Sequence, residues 1–251
     1  MSVKDYKKEA RERLKNRTLR AFRISIIRGS ITVLFALIAF TLQQFVPDFP
    51  TKDLTLCAIQ AALLLVSVSL LGSIRQGRTA WFLCASCGKD PSALQFRYWL
   101  RRGRGFRAAW LHTNILARKG LRIAAMCAPG ATILVCGALH PEWQTKSILY
   151  ASRIGGTLCL MIGILFAGLI NQKYALAQIL FARSPKKSVR SAIRGSCSLM
   201  EDSCMRLLHA KLSFIPWFAA CIGILPIVFV VAYYQQTTAC VLRDILRAKT
   251  I

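Results

Sequence analysis

Five stretches of this chain carry no charged residue, and the basic residues are gathered between them. Residues 29–47, 54–74, 123–141, 154–172 and 212–242 contain no Asp, Glu, Lys or Arg. All but three of the 35 Lys and Arg lie in the blocks 1–28, 75–122, 173–211 and 243–251, and those three (Lys52, Lys146 and Arg153) stand in two short connectors. A soluble basic protein has no physical reason to sort its charge in this way. A chain threaded repeatedly through a bilayer does, because Lys and Arg flanking a span stay on the cytoplasmic side.

A hydrocarbon core of about 30 Å takes about 20 apolar residues as a helix, so each of the first four runs fits one span. The fifth, at about 46 Å if helical, is long for a single span. It contains Gly223 and Pro226, a pair of helix breakers. Reversal there makes a hairpin of two spans, 206–225 and 227–246, with Lys211 and Arg243 snorkelling to the interface. A single span would instead leave Arg243, Arg247 and Lys249 outside. The expectation is therefore an all-α polytopic transmembrane helical bundle, one integral membrane domain over 1–251. Its six spans lie at about 24–46, 54–74, 122–140, 154–173, 206–225 and 227–246, with both termini cytoplasmic in the cell (inner/plasma) membrane. The basic leader is longer than a signal-peptide n-region and no small-residue cleavage site follows, so the first run reads as a signal anchor.

Two cytoplasmic segments are expected, 75–121 and 174–205, together with an N-terminal amphipathic helix in 1–23. In that helix Tyr6, Ala10, Leu14 and Ala21 form a thin apolar stripe flanked by Lys7, Lys8, Arg11, Lys15 and Arg20. Such a helix lies along an anionic leaflet, each basic residue contributing about 1 kcal/mol, or serves as a solvated lead-in to the first span. In the first segment, Asp90-Pro91-Ser92 marks a helix start with Ser92 as N-cap. An aromatic helix with Phe96, Tyr98 and Trp99 follows, then the Arg-Gly stretch 101–107 and an amphipathic helix over about 108–122. In the second, Ser188 is an N-cap, and Val189, Ile193, Cys197 and Met200 recur at helical spacing. The net charge of +25 invites a nucleic-acid partner, and Arg-Gly stretches with aromatics do bind nucleic acid. Span-flanking loops already account for the charge, so nucleic acid is disfavoured. Anionic lipid headgroups are the expected contact for Lys7, Lys8, Arg11, Lys15, Arg101, Arg102, Arg104, Arg107, Lys186, Lys187, Arg190 and Arg194.

Candidate chemistry is sparse. Cys84 and Cys87 form the only CxxC. Completed by Cys204 and His209 it would make a zinc site, yet structural zinc usually takes two such pairs, and a redox CxxC belongs to a βαβ context. The ten cysteines read better as small packing residues. No Asp or Glu falls within an expected span apart from Asp244 at the very end of the last, although ion-coupled carriers keep intramembrane carboxylates. The three histidines, His112, His140 and His209, stand at span edges or in loops, and no Gly-x-Ser-x-Gly elbow occurs. Catalysis has no visible apparatus, and no cofactor is implied. The polar groups inside the expected spans are amides and hydroxyls, chiefly Gln60, Gln235, Gln236, Thr237 and Thr238. They hold helices together, at roughly 0.6–2 kcal/mol each, or line a solute path. A water-accessible midplane cavity reaching 235–238 favours transport, whereas a solid core with an exposed apolar groove favours a binding partner.

A set of residues in 174–246 carries a family resemblance: Tyr174-Ala175-Leu176-Ala177, Ser184-Pro185, Ser196, Leu199-Met200, Arg206 and Leu212-Ser213-Phe214-Ile215-Pro216-Trp217, followed by Tyr233, Gln235, Thr237 and Ala239. This pattern resembles an uncharacterised bacterial family of six-span integral membrane proteins. More remotely it is similar to the membrane domain of some glycerophosphodiester phosphodiesterases. The basic N-terminal helix with Lys7, Ala10 and Leu14 fits the family's start. The chain departs from the pattern at Asp202, Pro216, Ala232 and Val241-Leu242. The resemblance implies a helical membrane protein and transfers no catalytic residue. The expected function is a non-enzymatic scaffold, regulatory or accessory component of a membrane assembly, partnered by lipid, other membrane proteins or a second copy of itself. The alternative is a transporter or permease subunit for a small or lipid-like solute. A lipid-acting enzyme has only the remote family analogy behind it.

Overall fold

The computed structural model of the chain describes residues 2–15, 17–45, 52–91, 98–99, 103–139, 146–185, 187–221 and 224–249. These residues are mostly helical, with no strand among them. The elements are α1 (Val3–Leu14), α2 (Thr18–Phe45), α3 (Lys52–Ser86), α4 (Arg104–Leu139), α5 (Lys146–Ile170), a 3-10 turn (Asn171–Tyr174), α6 (Ala177–Arg183), α7 (Val189–Leu199), α8 (Cys204–Leu212), α9 (Ile215–Ala219) and α10 (Ile224–Ala248). Four stretches are long and apolar enough to cross a membrane: Thr18–Thr41, Cys57–Ser86, Arg104–Ala138 and Tyr150–Arg183. Each overlaps one of the first four charge-free runs.

Burial divides these helices along their length. In the apolar runs large side chains face outward: Leu34, Leu37 and Phe40 on α2, Leu64 and Leu65 on α3, Met161, Leu165 and Phe166 on α5. A continuous apolar belt of this kind is what lipid covers and water does not tolerate. The packed core is built instead from the basic blocks and the C-terminal helix. Tyr6 and Ala10 of α1 pack with Met200, with Leu207 and Ala210 of α8, and with Val241 and Ile245 of α10. Trp99 joins Leu111 and Ile115 of α4, Phe181 of α6 and Ile193 of α7. Leu14 and Ala21 meet Trp81 and Phe82 of α3 and Ala232 of α10.

Close backbone approach fixes the helix crossings. A Cβ placed on Gly72 of α3 would lie 2.7 Å from Ala109 Cα of α4, and one on Gly130 of α4 would lie 2.7 Å from Leu160 N of α5. Only small residues let helices meet this closely, the packing device of membrane helices. Gly163 of α5 likewise faces the Met126 carbonyl of α4.

Two sequence expectations change here. The apolar stripe Tyr6–Ala10–Leu14 exists, but it is buried against protein and not turned to a leaflet. The reason is local: α10 and α8 present the complementary apolar faces, and Arg243 of α10 ties α1 down through Glu9 Oε1 at 2.7 Å and Oε2 at 2.9 Å. Ala21 lies beyond a break after Leu14, on α2. The expected span 206–225 is not one helix. It is divided between α8 and α9, with a turn at Ser213-Phe214. Pro216 at the start of α9 has no N–H to donate to Leu212, and its ring opposes that carbonyl. The expected span 227–246 lies within α10, yet from Ala239 to Leu246 that helix is covered by protein except at half-buried Asp244. Pro226 sits in its first turn, where proline is tolerated. Ser188 does cap α7, accepting from Ser191 N at 3.2 Å. Gly223 and the expected helix start at Ser92 fall outside the described residues.

Candidate functional site

Where the apolar belt meets the packed core, α3, α4, α8, α10 and the 3-10 turn enclose a cavity of about 270 Å³. Arg75 and Arg78, three apart and so on one face of α3, line one side. Lys119 of α4 and Lys211, in the last turn of α8, complete a set of four cations. Asn171, Gln172, Gln178, Tyr234, Gln235 and Thr238 supply amides and hydroxyls. No Asp or Glu lines the cavity among the described residues. Along the chain the lining residues lie within five positions of outward-facing apolar side chains: Arg75 after Leu70, Lys119 before Leu121, Asn171 after Phe166 and Tyr234 after Phe229.

Hydrogen bonds organise the walls. Gln76 Nε2 donates to the Gln178 carbonyl at 2.7 Å, and Thr79 Oγ1 donates to Gln178 Oε1 at 3.1 Å, so α6 is held to α3. Gln172 is anchored by its Nε2 on the Gly168 carbonyl at 2.9 Å and accepts from Lys211 Nζ at 2.6 Å. Ser25 of α2 reaches Gln235 Oε1 at 3.4 Å. Arg75 Nη1 lies 3.5 Å from His112 Nδ1. Burial, reinforced by the charges of Lys119 and Arg75, pushes the Lys211 ammonium down to about 8. Asn171 Oδ1 is buried with no hydrogen-bond partner among the described residues, as is Arg122 Nη1, one turn beyond Lys119. Arg122 stacks over the ring of Tyr174, another lining residue, at 4.8 Å.

The negative charge is elsewhere. Glu9 and Asp244 pair with Arg243, Glu9 also with Arg13, Asp90 with Arg17 and Asp202 with Lys249. The Arg243 fork holds the Glu9 carboxyl below its usual range. The buried arginine on α10 is thus paired with two carboxylates, and no Asp or Glu among the described residues lines the four-cation cavity.

The residues singled out from sequence are distributed differently. Lys8, Arg11, Lys15, Arg190 and Arg194 are exposed. Lys7 donates to the Ser213 carbonyl at 3.0 Å and lies 4.5 Å over Phe214. Arg104 stacks on Tyr98 at 3.9 Å, and Arg107 donates to the Lys187 carbonyl at 2.8 Å. Arg11 and Lys15 border an apolar groove with Trp217, Phe229 and Tyr233. Arg101, Arg102 and Lys186 lie outside the described residues. Gln60 lines a separate apolar crevice between α2 and α3 with Phe35 and Ser67.

The 235–238 cluster is split by helix geometry. Gln235 and Thr238, three apart, face the cavity, whereas Gln236 and Thr237 are buried away from it. The zinc set is not assembled: Cys204 is buried in the α1–α8–α10 core, Cys87 and His209 are exposed, and Cys84 is half-buried at the far end of α3. Among the described residues no group of three or more His, Cys, Asp and Glu could hold a metal ion.

Sequence reasoning missed Arg75, Arg78 and Lys119, and placed Lys211 only at a span edge. The signal was present. None of the four has an Asp or Glu within four positions, and two of them, Arg75 and Lys211, directly flank charge-free runs.

The fold and cavity define an all-helical protein with four helices able to cross a membrane and a basic, carboxylate-free cavity at the margin of its apolar belt. No family model matches the chain, and neither a curated protein nor a solved structure does.

Proposed function

We propose that this is a multi-pass protein of the cell membrane that works without catalysis, as a scaffold, regulatory or accessory component, and that it engages an anionic group in its basic cavity. The observation that carries this reading is the convergence of Arg75, Arg78, Lys119 and Lys211 on one cavity with no lining carboxylate among the described residues. Four like charges repel at close range, the more so away from bulk water. A bound anion relieves that repulsion through charge-assisted hydrogen bonds. The cavity's amides, hydroxyls and cations bind and orient an anion without an evident nucleophile–base pair.

The charge sorting supports a cytoplasmic position for the basic blocks. The clamp between Glu9 and Arg243 supports placing both termini on that same side. Exposed Lys8, Arg11, Lys15, Arg190 and Arg194 suit anionic headgroups at the surface. The 174–246 resemblance to bacterial integral membrane proteins is consistent with all of this.

Thermal unfolding of the detergent-purified protein tests the proposal. Titrated phosphatidylglycerol should raise the midpoint by linkage, about 2.7 kcal/mol at a hundredfold excess over Kd, and phosphatidylcholine should not. Equal response to both lipids, or to neither, contradicts the reading. A reporter fused after Ile251 that is active only outside the cell contradicts the topology.

A second reading, transport of a small or lipid-like solute, draws on one observation: the cavity reaches Gln235 and Thr238. Against it, the cavity lies at the edge of the apolar belt and not midway along it. Anion flux into liposomes carrying the purified protein separates the two readings.

A further inference from the structure

Resting on the reading of the cavity as an anion site, we propose that its ligand is a terminal phosphate group, a phosphomonoester, carried on a lipid. The argument is one of geometry and charge. The cations enter from three elements: Arg75 and Arg78 from α3, Lys119 from α4 and Lys211 from α8. A ligand that meets all of them needs acceptors pointing in at least three directions. A terminal phosphate has three acceptor oxygens and carries about −1.5 to −2 at pH 7. A phosphodiester offers two free oxygens and one charge, and a carboxylate two oxygens and one charge. The mixture of side chains fits as well, since arginine forks grip phosphate in two-point fashion while lysines act as mobile point charges.

Cations alone at this level also select against a zwitterionic headgroup. A phosphocholine brings its own positive charge into a wall with no carboxylate or open aromatic cage to receive it. Asn171 Oδ1, buried on the cavity wall without a donor among the described residues, accepts from the P–OH of a singly protonated phosphate. At about 270 Å³ the space corresponds to roughly nine waters at about 30 Å³ each, enough for a phosphate and a short carbon unit. The remainder of the ligand must leave the cavity, and Leu121 of α4, Phe166 of α5 and Phe229 of α10, each within five positions of a lining residue, are outward-facing and apolar. An acyl chain fits that exit and a soluble sugar does not.

The experiment is a competition read by thermal shift and by native mass spectrometry on the full-length protein in neutral detergent. Phosphatidic acid, phosphatidylglycerol, phosphatidylcholine, oleate and inorganic phosphate are titrated separately. Phosphatidic acid is expected to bind at least tenfold more tightly than phosphatidylglycerol or oleate, with phosphatidylcholine silent. Inorganic phosphate should compete only at much higher concentration; if it matches phosphatidic acid, the phosphate is recognised but the lipid carrier is refuted. Equal affinity for phosphatidic acid and phosphatidylglycerol overturns the monoester while leaving the anion site intact. No response to any anion overturns both.

Lys119→Gln and Arg78→Gln should each weaken phosphatidic acid at least tenfold. Lys4→Gln and Lys89→Gln, on exposed basic residues outside the expected headgroup contacts, should leave it unchanged. Should a cavity variant fail to purify, Lys211→Arg keeps the charge and should retain the preference. Loss of binding in the exposed variants equal to that in the cavity variants assigns the lipid to the surface and refutes the site.

Discussion

Removing one positive charge from the cavity should make the ligand-free protein more stable. Lys211 is the best position, being half-buried between Lys119 and Arg75 with its ammonium pushed from 10.5 down to about 8. That depression corresponds to at most about 3 kcal/mol of disfavoured charge, and residual hydration of the ammonium head reduces it. Lys211→Gln forfeits the 2.6 Å bond to Gln172, a loss of about 1 kcal/mol. The net gain is then about 1–2 kcal/mol, or roughly 2–6 °C in Tm for a chain of this size. The assay is thermal unfolding followed by tryptophan fluorescence, in neutral detergent at pH 7 and low salt with no anion added. The pH dependence gives an independent check. The folded lysine has the lower pKa, so the unfolded chain binds more protons between about pH 8 and 10, and wild-type stability rises through that window. The variant should lack this rise. A Tm that falls in Lys211→Gln, together with a wild type that gains nothing above pH 8, would refute the claim that the cavity is short of negative charge. Anion-dependent stabilisation should move the opposite way and be weakened by the same substitution.

Three further outcomes follow from particular contacts. Arg243→Ala leaves Glu9 and Asp244 facing each other at the α1–α10 junction and should destabilise the protein by about 3 kcal/mol, with α1 becoming sensitive to limited proteolysis. The clamp's stability should be present above the unfolded glutamate pKa of about 4.3 and be lost as pH falls through the lower folded value, seen as a Tm decline in wild type that Glu9→Gln lacks. Gly163→Leu drives a side chain into the Met126 carbonyl of α4 and should cost about 1–3 kcal/mol, whereas Gly168→Ala, with open space around it, should be neutral by the same measurement. Anion affinity should fall as pH rises above 8, because binding raises the Lys211 pKa and requires its proton; Lys211→Arg should flatten that profile in isothermal titrations.

Much of the architecture is local in origin and therefore legible along the chain. Charge-free runs of span length form the long helices α2 to α5, because helix hydrogen bonds close within each segment and the apolar period is unbroken. Ser188 caps α7 through its own Ser191 amide. The Tyr6–Ala10–Leu14 stripe is visible at helical spacing, but spacing says which residues share a face and not what covers it. Lipid and the apolar face of α10 are equivalent partners for such a stripe, and only the Arg243–Glu9 pairing across the whole chain distinguishes them. Pro216 stands within a span-length hydrophobic run, and its missing N–H divides that run into α8 and α9.

The sequence by itself determined a basic, all-helical chain with apolar stretches long enough for a bilayer, because hydropathy and charge act through each residue's immediate neighbours. Tertiary structure alone decided which cations meet. Arg75, Arg78, Lys119 and Lys211 come from three separate helices, and Gln235 and Thr238 join them because a helical period turns them to the cavity and Gln236 and Thr237 away. Electrostatic repulsion depends on distance in space, so this gathering of like charges came into being only when the helices packed.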